Sequence, residues 1–208
     1  MPNRSAKRDR AYALTTLCPL LPDEGQTESP TMMVRHFLNE TGVGEASPMA
    51  KVPNTYLCRF AVLSDLFYEG KPAELDHLES DYLVFVCDIH GDLETYLTGM
   101  WEHAKDFIME LWKHCVGFKG VEQAPAFISY IRRCQVETTF YFNGSNDDPL
   151  EDQLKALFLK QELSRFAYEH QGLPNDKLQE AFKKFIDRVR PSDPQPSWAP
   201  GLEKEVKS

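Results

Sequence analysis

The chain has 208 residues, 42% of them hydrophobic and 26% charged, which suits a buried core and excludes wholesale disorder. Its formal net charge is −9, from 32 Asp and Glu against 23 Lys and Arg, and such a surface repels phosphate backbones, so no nucleic-acid partner is expected. The longest apolar runs, such as 82–87, fall far short of the ~20 residues that cross a bilayer, and the basic start 4–10 leads only into a short stretch broken by Thr and Pro, so the expectation is no membrane span, no signal peptide and a cytoplasmic location.

Taken in chain order, residues 1–10 read as a disordered basic N-terminus. Residues 11–21, AYALTTLCPLL, read as a strand ended by Pro22-Asp23. Within 26–41, Met32, Met33, Phe37 and Leu38 recur about one turn apart and predict a short helix, capped by a residue between Thr27 and Ser29. A loop rich in Gly, Ser and Pro covers 42–53. Strands follow at 55–64, TYLCRFAVLS, and 81–89, DYLVFVCDI, joined by an acidic connection over 65–80. Leu93, Leu97, Met100, Trp101, Ala104, Phe107, Ile108, Leu111 and Cys115 then mark one face of a long helix, with Gly117 as a stop signal. A shorter helix covers 125–133, and TTFYFN at 138–143 reads as a fourth strand before a turn at 144–147. Asp148 as N-cap with Pro149 behind it opens a helix to about His170. Asn175 caps a last helix, and the Pro-rich tail 191–208 reads as disordered. The domain plan is thus one α+β domain over 11–190. Its order through Asn143 is β–α–β–β–α–(α)–β, that of the ferredoxin-like βαββαβ split unit with extra C-terminal helices.

The two central strands carry the main structural inference. On 55–64, Tyr56, Cys58, Phe60 and Val62 alternate with Leu57, Arg59, Ala61 and Leu63. On 81–89, Tyr82, Val84 and Val86 alternate with Leu83, Phe85, Cys87 and Ile89. Neither side is polar, whereas a half-solvated antiparallel sheet alternates apolar with polar. Leaving such side chains wet costs about 1.5–3 kcal/mol each. Both faces are therefore expected to be covered, one by helices and the other by the C-terminal helices or by a second copy in a homodimer.

Five cysteines without CxxC spacing (Cys18, Cys58, Cys87, Cys115, Cys134) read as reduced core thiols rather than a disulfide framework or zinc site. A redox or nucleophilic role is the alternative, with Cys115 singled out because it follows His114. Cys87-Asp88-Ile89-His90-Gly91-Asp92 is similar to the D-x-H-G motif of calcineurin-like metallophosphoesterases, in which Asp and His leave a strand end together as ligands of a dinuclear metal pair. The other ligand motifs of that family do not follow, so the expectation is a strand-to-helix turn with Asp92 as N-cap, no metal, and a metal-dependent phosphoesterase only as a remote alternative. Arg59, embedded in an apolar strand, needs a partner or an opening, and Asp88 is the candidate partner. Its functional reading is an anion-binding arginine in a sheet-lined cavity. His114, at the end of the long helix, reads as a C-terminal cation favoured by the helix dipole, with a haem or metal ligand as the sharper alternative.

The run Ser47-Pro48-Met49-Ala50-Lys51-Val52-Pro53-Asn54-Thr55-Tyr56-Leu57-Cys58-Arg59-Phe60 and the block Lys113-His114-Cys115-Val116-Gly117-Phe118 resemble segments of bacterial proteins of poorly defined function. These are small ferredoxin-like domains of the dimeric α/β-barrel type, sometimes joined to dye-decolourising-peroxidase-like domains. The resemblance covers residues 11–170. Arg59, His114, Cys115 and Gly117 match its pattern, whereas Tyr56 stands where a His is expected and His90 where the turn has Asp. The resemblance implies the fold and a homodimer; a link to haem oxidoreductases is implied by association alone. The resulting expectation is a dimeric small-molecule-binding or accessory module, with a haem-binding oxidoreductase-type domain as the alternative. Arg59, His114 and Tyr56 are the candidate ligand-binding residues. No complete catalytic set can be assembled, so enzyme status stays open.

Overall fold

A computed structural model of the chain describes residues 11–65, 70–72, 77–144 and 147–201. The basic N-terminus and parts of the acidic connection therefore lie outside the described residues. Three strands, β1 (Ala11–Pro19), β2 (Thr55–Leu63) and β3 (Tyr82–His90), form one antiparallel sheet in the order β1-β3-β2. Five α-helices accompany it among the described residues: α1 (Pro30–Glu40), α2 (Leu93–Trp112), α3 (Ala124–Cys134), α4 (Leu150–Glu169) and α5 (Asn175–Val189). The molecule is α+β.

Register decides which apolar row faces inward. Leu14, Cys87 and Cys58 share one row, Thr16, Phe85 and Phe60 the next, and Cys18, Leu83 and Val62 a third. On these rows every β1 and β3 residue is fully buried, while the β2 residues, on an edge strand, are half-buried. Helices α1, α2 and α3 seal this side, with Val34, Leu97, Met100, Ile108, Leu111, Trp112, Phe127 and Ile131 in one continuous core. The caps follow the sequence. The Ser29 hydroxyl accepts from Met32 N at 3.3 Å, which opens α1 one residue before Pro30. Helix α2 runs to Trp112 with a break from helical geometry at Ala104.

The opposite face carries Ala13, Asp88 and Leu57, then Thr15, Val86 and Arg59, then Leu17, Val84 and Ala61, then Pro19, Tyr82 and Leu63. Leu57 is 50% exposed and Leu17 36%, and Arg59 and Ala61 are exposed as well. Helices α1 to α3 all lie on the other side. The expected cover from the C-terminal helices is not there either. Helices α4 and α5 pack on each other around Phe166, Phe185 and Val189, with Phe158, Leu159, Ala181 and Ile186 beside them.

The expected fourth strand does not form. After α3 the chain meets β1 at a single bridge, Thr16 with Gln135, backed by Val136 N donating to Thr15 O at 2.8 Å and by Thr138 Oγ1 donating to Ala13 O at 3.3 Å. Beyond that point residues 138–143 leave the ladder, and Phe140 and Phe142 are 82% and 75% exposed. A strand is held by the side chains packed above and below it, and local β-propensity cannot replace that packing. Among the described residues, Phe140 and Phe142 belong to neither hydrophobic core.

Part of the Pro-rich segment expected to be disordered makes specific contacts. The Lys155 amine donates to Val189 O at 2.7 Å and to Pro196 O at 2.8 Å, tying the end of α5 and the following chain to α4. Trp198 Nε1 donates to Gln161 Oε1 at 2.9 Å. Glu162, nearly buried, is held by Arg165 at 2.7 Å and by Arg188 of α5 at 3.0 Å, so its carboxylate is charge-matched.

Candidate functional site

The open sheet face ends in a polar cluster near the start of β1 and the end of β3. Strand β2 has an irregularity between Thr55 and Leu57, where pairing to β3 slips by one residue. A bulge of this kind re-aims a side chain, and here it turns the Tyr56 phenol toward His90. Tyr56 OH lies 2.8 Å from His90 Nδ1 and 2.7 Å from the Asp148 carbonyl. A carbonyl only accepts, so the phenol proton goes to Asp148 O, and His90 must donate from Nδ1. Neutral His90 therefore carries its lone pair on Nε2. Burial, with Asp147, Tyr141 and Asp148 nearby, pushes the Tyr56 phenol up to about 12, so it stays protonated and keeps that donation.

Arg59 and Asp88 sit on the same face, in adjacent rows. Burial pushes the Asp88 carboxyl up, and Arg59 opposes that shift. The expected partnership thus exists as an electrostatic neighbourhood. Arg59 also has the opening its apolar neighbours call for: it is exposed on edge strand β2. In a single chain Arg59 lies on an exposed part of the sheet face.

His114 belongs elsewhere. It follows α2, and its carbonyl accepts from Leu21 N at 2.8 Å, just beyond the Pro19 end of β1. Arg59 shares its row with Thr15. At about 3.3 Å per residue the two sites are roughly 20 Å apart. Tyr56 meets His90 and Asp148 O, Arg59 neighbours Asp88, and His114 joins neither group. Burial, with Lys113 beside it, lowers the His114 pKa, and Glu110 opposes that shift; the direction runs against the cationic helix cap expected from its position.

The Asp88–Asp92 segment is a strand-to-helix turn. Gly91 takes φ 93°, a backbone setting that favours glycine, and the Asp92 carboxylate accepts from Thr95 N at 3.0 Å. Among the described residues no group of three or more His, Cys, Asp or Glu converges as a metal site. Changing Asp92 to Ala is expected to lower stability by about 1 kcal/mol, read as a shift of the thermal unfolding midpoint. An unchanged midpoint would show that Asp92 does not cap α2.

Cys115, singled out in the sequence because it follows His114, lies in the core. It is 2% exposed, and burial pushes its thiol up to about 12. Tyr141 and Asp148, which lie by the Tyr56 phenol, carry no functional signal in the sequence, because each reaches it only through tertiary folding.

Measured against known protein families, curated proteins and solved structures, the chain has no match. Its function therefore rests on its own geometry.

Proposed function

We propose that the protein is an accessory or binding module that works as a homodimer, two copies joined through their open sheet faces. The observation that carries this reading is the row of Leu17, Leu57, Leu63, Tyr82, Val84 and Val86 on a face over which none of the five helices packs. The β1-β3-β2 order supports a ferredoxin-like sheet short of its fourth strand.

A second copy fits this face better than a charged partner does. The chain carries −9, yet the four rows hold one cation and one anion, Arg59 and Asp88. One cation and one anion leave this face without net charge, so two copies meet there without like-charge repulsion. Three strands of nine residues present about 14 by 30 Å. That is roughly half of the ~800 Å² per partner typical of stable complexes. The exposed rings of Phe140 and Phe142, on the segment beside β1, supply further apolar area. Arg59, with Tyr56 and His90 beyond it, lines the edge of the seam, where a small anionic ligand is the best match.

Sedimentation velocity at micromolar concentration tests this. The expected wild-type mass is twice 23.9 kDa. Val86→Glu, which places a carboxylate in the centre of the face, is expected to give a folded protomer of single mass. A wild-type protein that stays at protomer mass across that range defeats the proposal, as does a Val86→Glu variant that dimerises equally well.

A further inference from the structure

The outer edge of β1 is an unfinished ladder, and the chain that leaves α3 stands in register to finish it. Just past β1, Leu20 N donates to Asp81 O at 2.8 Å, so the even-numbered residues of β1 pair with β3 and the odd-numbered ones turn their backbone N–H and C=O outward. Three contacts from the chain after α3 land on that edge. Gln135 bridges antiparallel to Thr16, Val136 N donates to Thr15 O at 2.8 Å, and Thr138 Oγ1 donates to Ala13 O at 3.3 Å. All three fit one antiparallel register, in which Val136 faces Thr15, Thr138 faces Ala13 and Phe140 faces Ala11. The Thr138 side chain thus holds the acceptor that its own backbone N–H would take in a continued strand. Among the described residues, Ala13 N and Thr15 N have no backbone partner on this edge, and Ala11 N reaches the Asp147 carboxylate at a long 3.4 Å.

Opposite residues in a ladder share a face. Closing this register therefore puts Val136, Thr138 and Phe140 on the open face, beside Thr15, Ala13 and Ala11. Val136 is 42% exposed and Phe140 82%, so both have apolar surface to lose there. Ala11 and Ala13 are the smallest side chains that β1 presents on that face, and they leave room for a ring beside them. Glu137 and Thr139 turn by alternation to the other side. In a single chain no described helix packs over the open face, so Phe140 gains no cover by moving onto it. Ordering the backbone then costs entropy, and the edge hydrogen bonds merely replace those made to water.

Resting on the homodimer of the preceding section, we propose that residues 136–140 close onto β1 as a fourth strand when a second copy covers the open face. Dimerisation and completion of the sheet are then one step. The second copy supplies the apolar layer that Phe140 lacks. The closing strand widens the sheet by about 5 Å and brings Val136 and Phe140 into the seam. On closure Thr138 N takes over Ala13 O from the side chain, Ala13 N takes Thr138 O, Thr15 N takes Val136 O, and Ala11 turns from Asp147 to Phe140. The bridge at Thr16 and Gln135 and the bond from Val136 N to Thr15 O stay as they are, so the strand grows from contacts already made.

Residue-resolved hydrogen exchange on the full chain, run beside sedimentation velocity, tests this. In the dimer the Thr138 and Phe140 amides are expected to slow by about tenfold or more, while those of Glu137 and Thr139, which point away from β1, exchange freely. Cover without a strand would slow neighbours alike. In the Val86→Glu protomer all four are expected to exchange fast. A dimer in which Thr138 and Phe140 are as fast as their neighbours overturns the proposal and leaves the dimer standing. The alternation appearing equally in the Val86→Glu protomer overturns it too, since the strand then needs no partner. A wild type that stays a protomer removes both readings. Two substitutions give a second measure. Thr138→Pro lacks the N–H that the closed strand donates, and is expected to weaken dimerisation by about tenfold or more without moving the protomer's unfolding midpoint. Thr138→Val drops only the side-chain bond of the open form and is expected to dimerise at least as well as wild type. Equal dimerisation of Thr138→Pro and wild type, or loss of the dimer in Thr138→Val, also overturns it.

Discussion

Replacing Trp112 with alanine is expected to destabilise the sheet core by about 4 kcal/mol. Trp112 is fully buried at the end of α2. Its indole meets Phe60 at 5.9 Å, Phe85 at 5.6 Å and Phe127 at 5.7 Å, each near perpendicular. Edge-to-face contacts of this kind add to simple area burial. One side chain therefore joins β2, β3, α2 and α3, and Phe60 stacked on Phe85 at 4.7 Å cannot shift into the vacated space without breaking that stack. The ring's N–H also serves Cys18. Trp112→Phe separates the two roles, because it keeps most of the apolar volume and drops the donor; a loss of about 1–2 kcal/mol is expected from the missing hydrogen bond and the smaller ring. Urea unfolding followed by circular dichroism distinguishes the variants. Equal midpoints for Trp112→Ala and Trp112→Phe would mean that the aromatic hub is not what holds the layers together.

How much of this could be read from residues alone depends on whether an element is determined locally. Strand β3 and helix α2 were legible because their own periodicity is strong, and Ser29 and Asp92 cap α1 and α2 as their positions predict. The double-sided apolar pattern of β2 and β3 was legible too, but the choice of inner face was not. Val84 and Phe85 look equally fit for a core, and only pairing with β1 and packing under α2 assigns Phe85 to it. That Arg59 needs a partner or an opening was legible from its apolar neighbours; that it has an opening was not, because no local signal marks β2 as an edge strand. The 138–143 segment shows the reverse failure, a run of strand-forming residues with no layer to pack on. Asp148 looked like a helix cap, yet α4 starts at Leu150 behind Pro149, and the Asp148 carbonyl serves Tyr56 instead.

Phe166→Ala is expected to melt the α4–α5 hairpin while leaving the sheet core folded. The hairpin buries Phe166, Phe185 and Val189, a small core with little stability to lose. Phe166 is its centre, 4.9 Å from Phe185, 5.8 Å from Phe182 and stacked on His170 at 4.3 Å. Removing its ring costs about 3 kcal/mol. The remaining polar links cannot make up the difference. Glu162 with Arg165 and Arg188 is nearly buried on the carboxylate side, so its attraction is set against desolvation, and the Lys155 bonds to Val189 O and Pro196 O hold only the far end of α5. Hydrogen exchange reads the outcome element by element. Amides of α4 and α5 are expected to lose protection by about 100-fold or more, which is what 3 kcal/mol means at equilibrium, while those of α2 and β3 keep theirs. Helical signal should fall without a change in the midpoint of the main unfolding transition. If α2 and β3 lose protection in step with α4 and α5, the two cores unfold as one, and the hairpin is an integral part of the sheet domain rather than a separate cooperative unit.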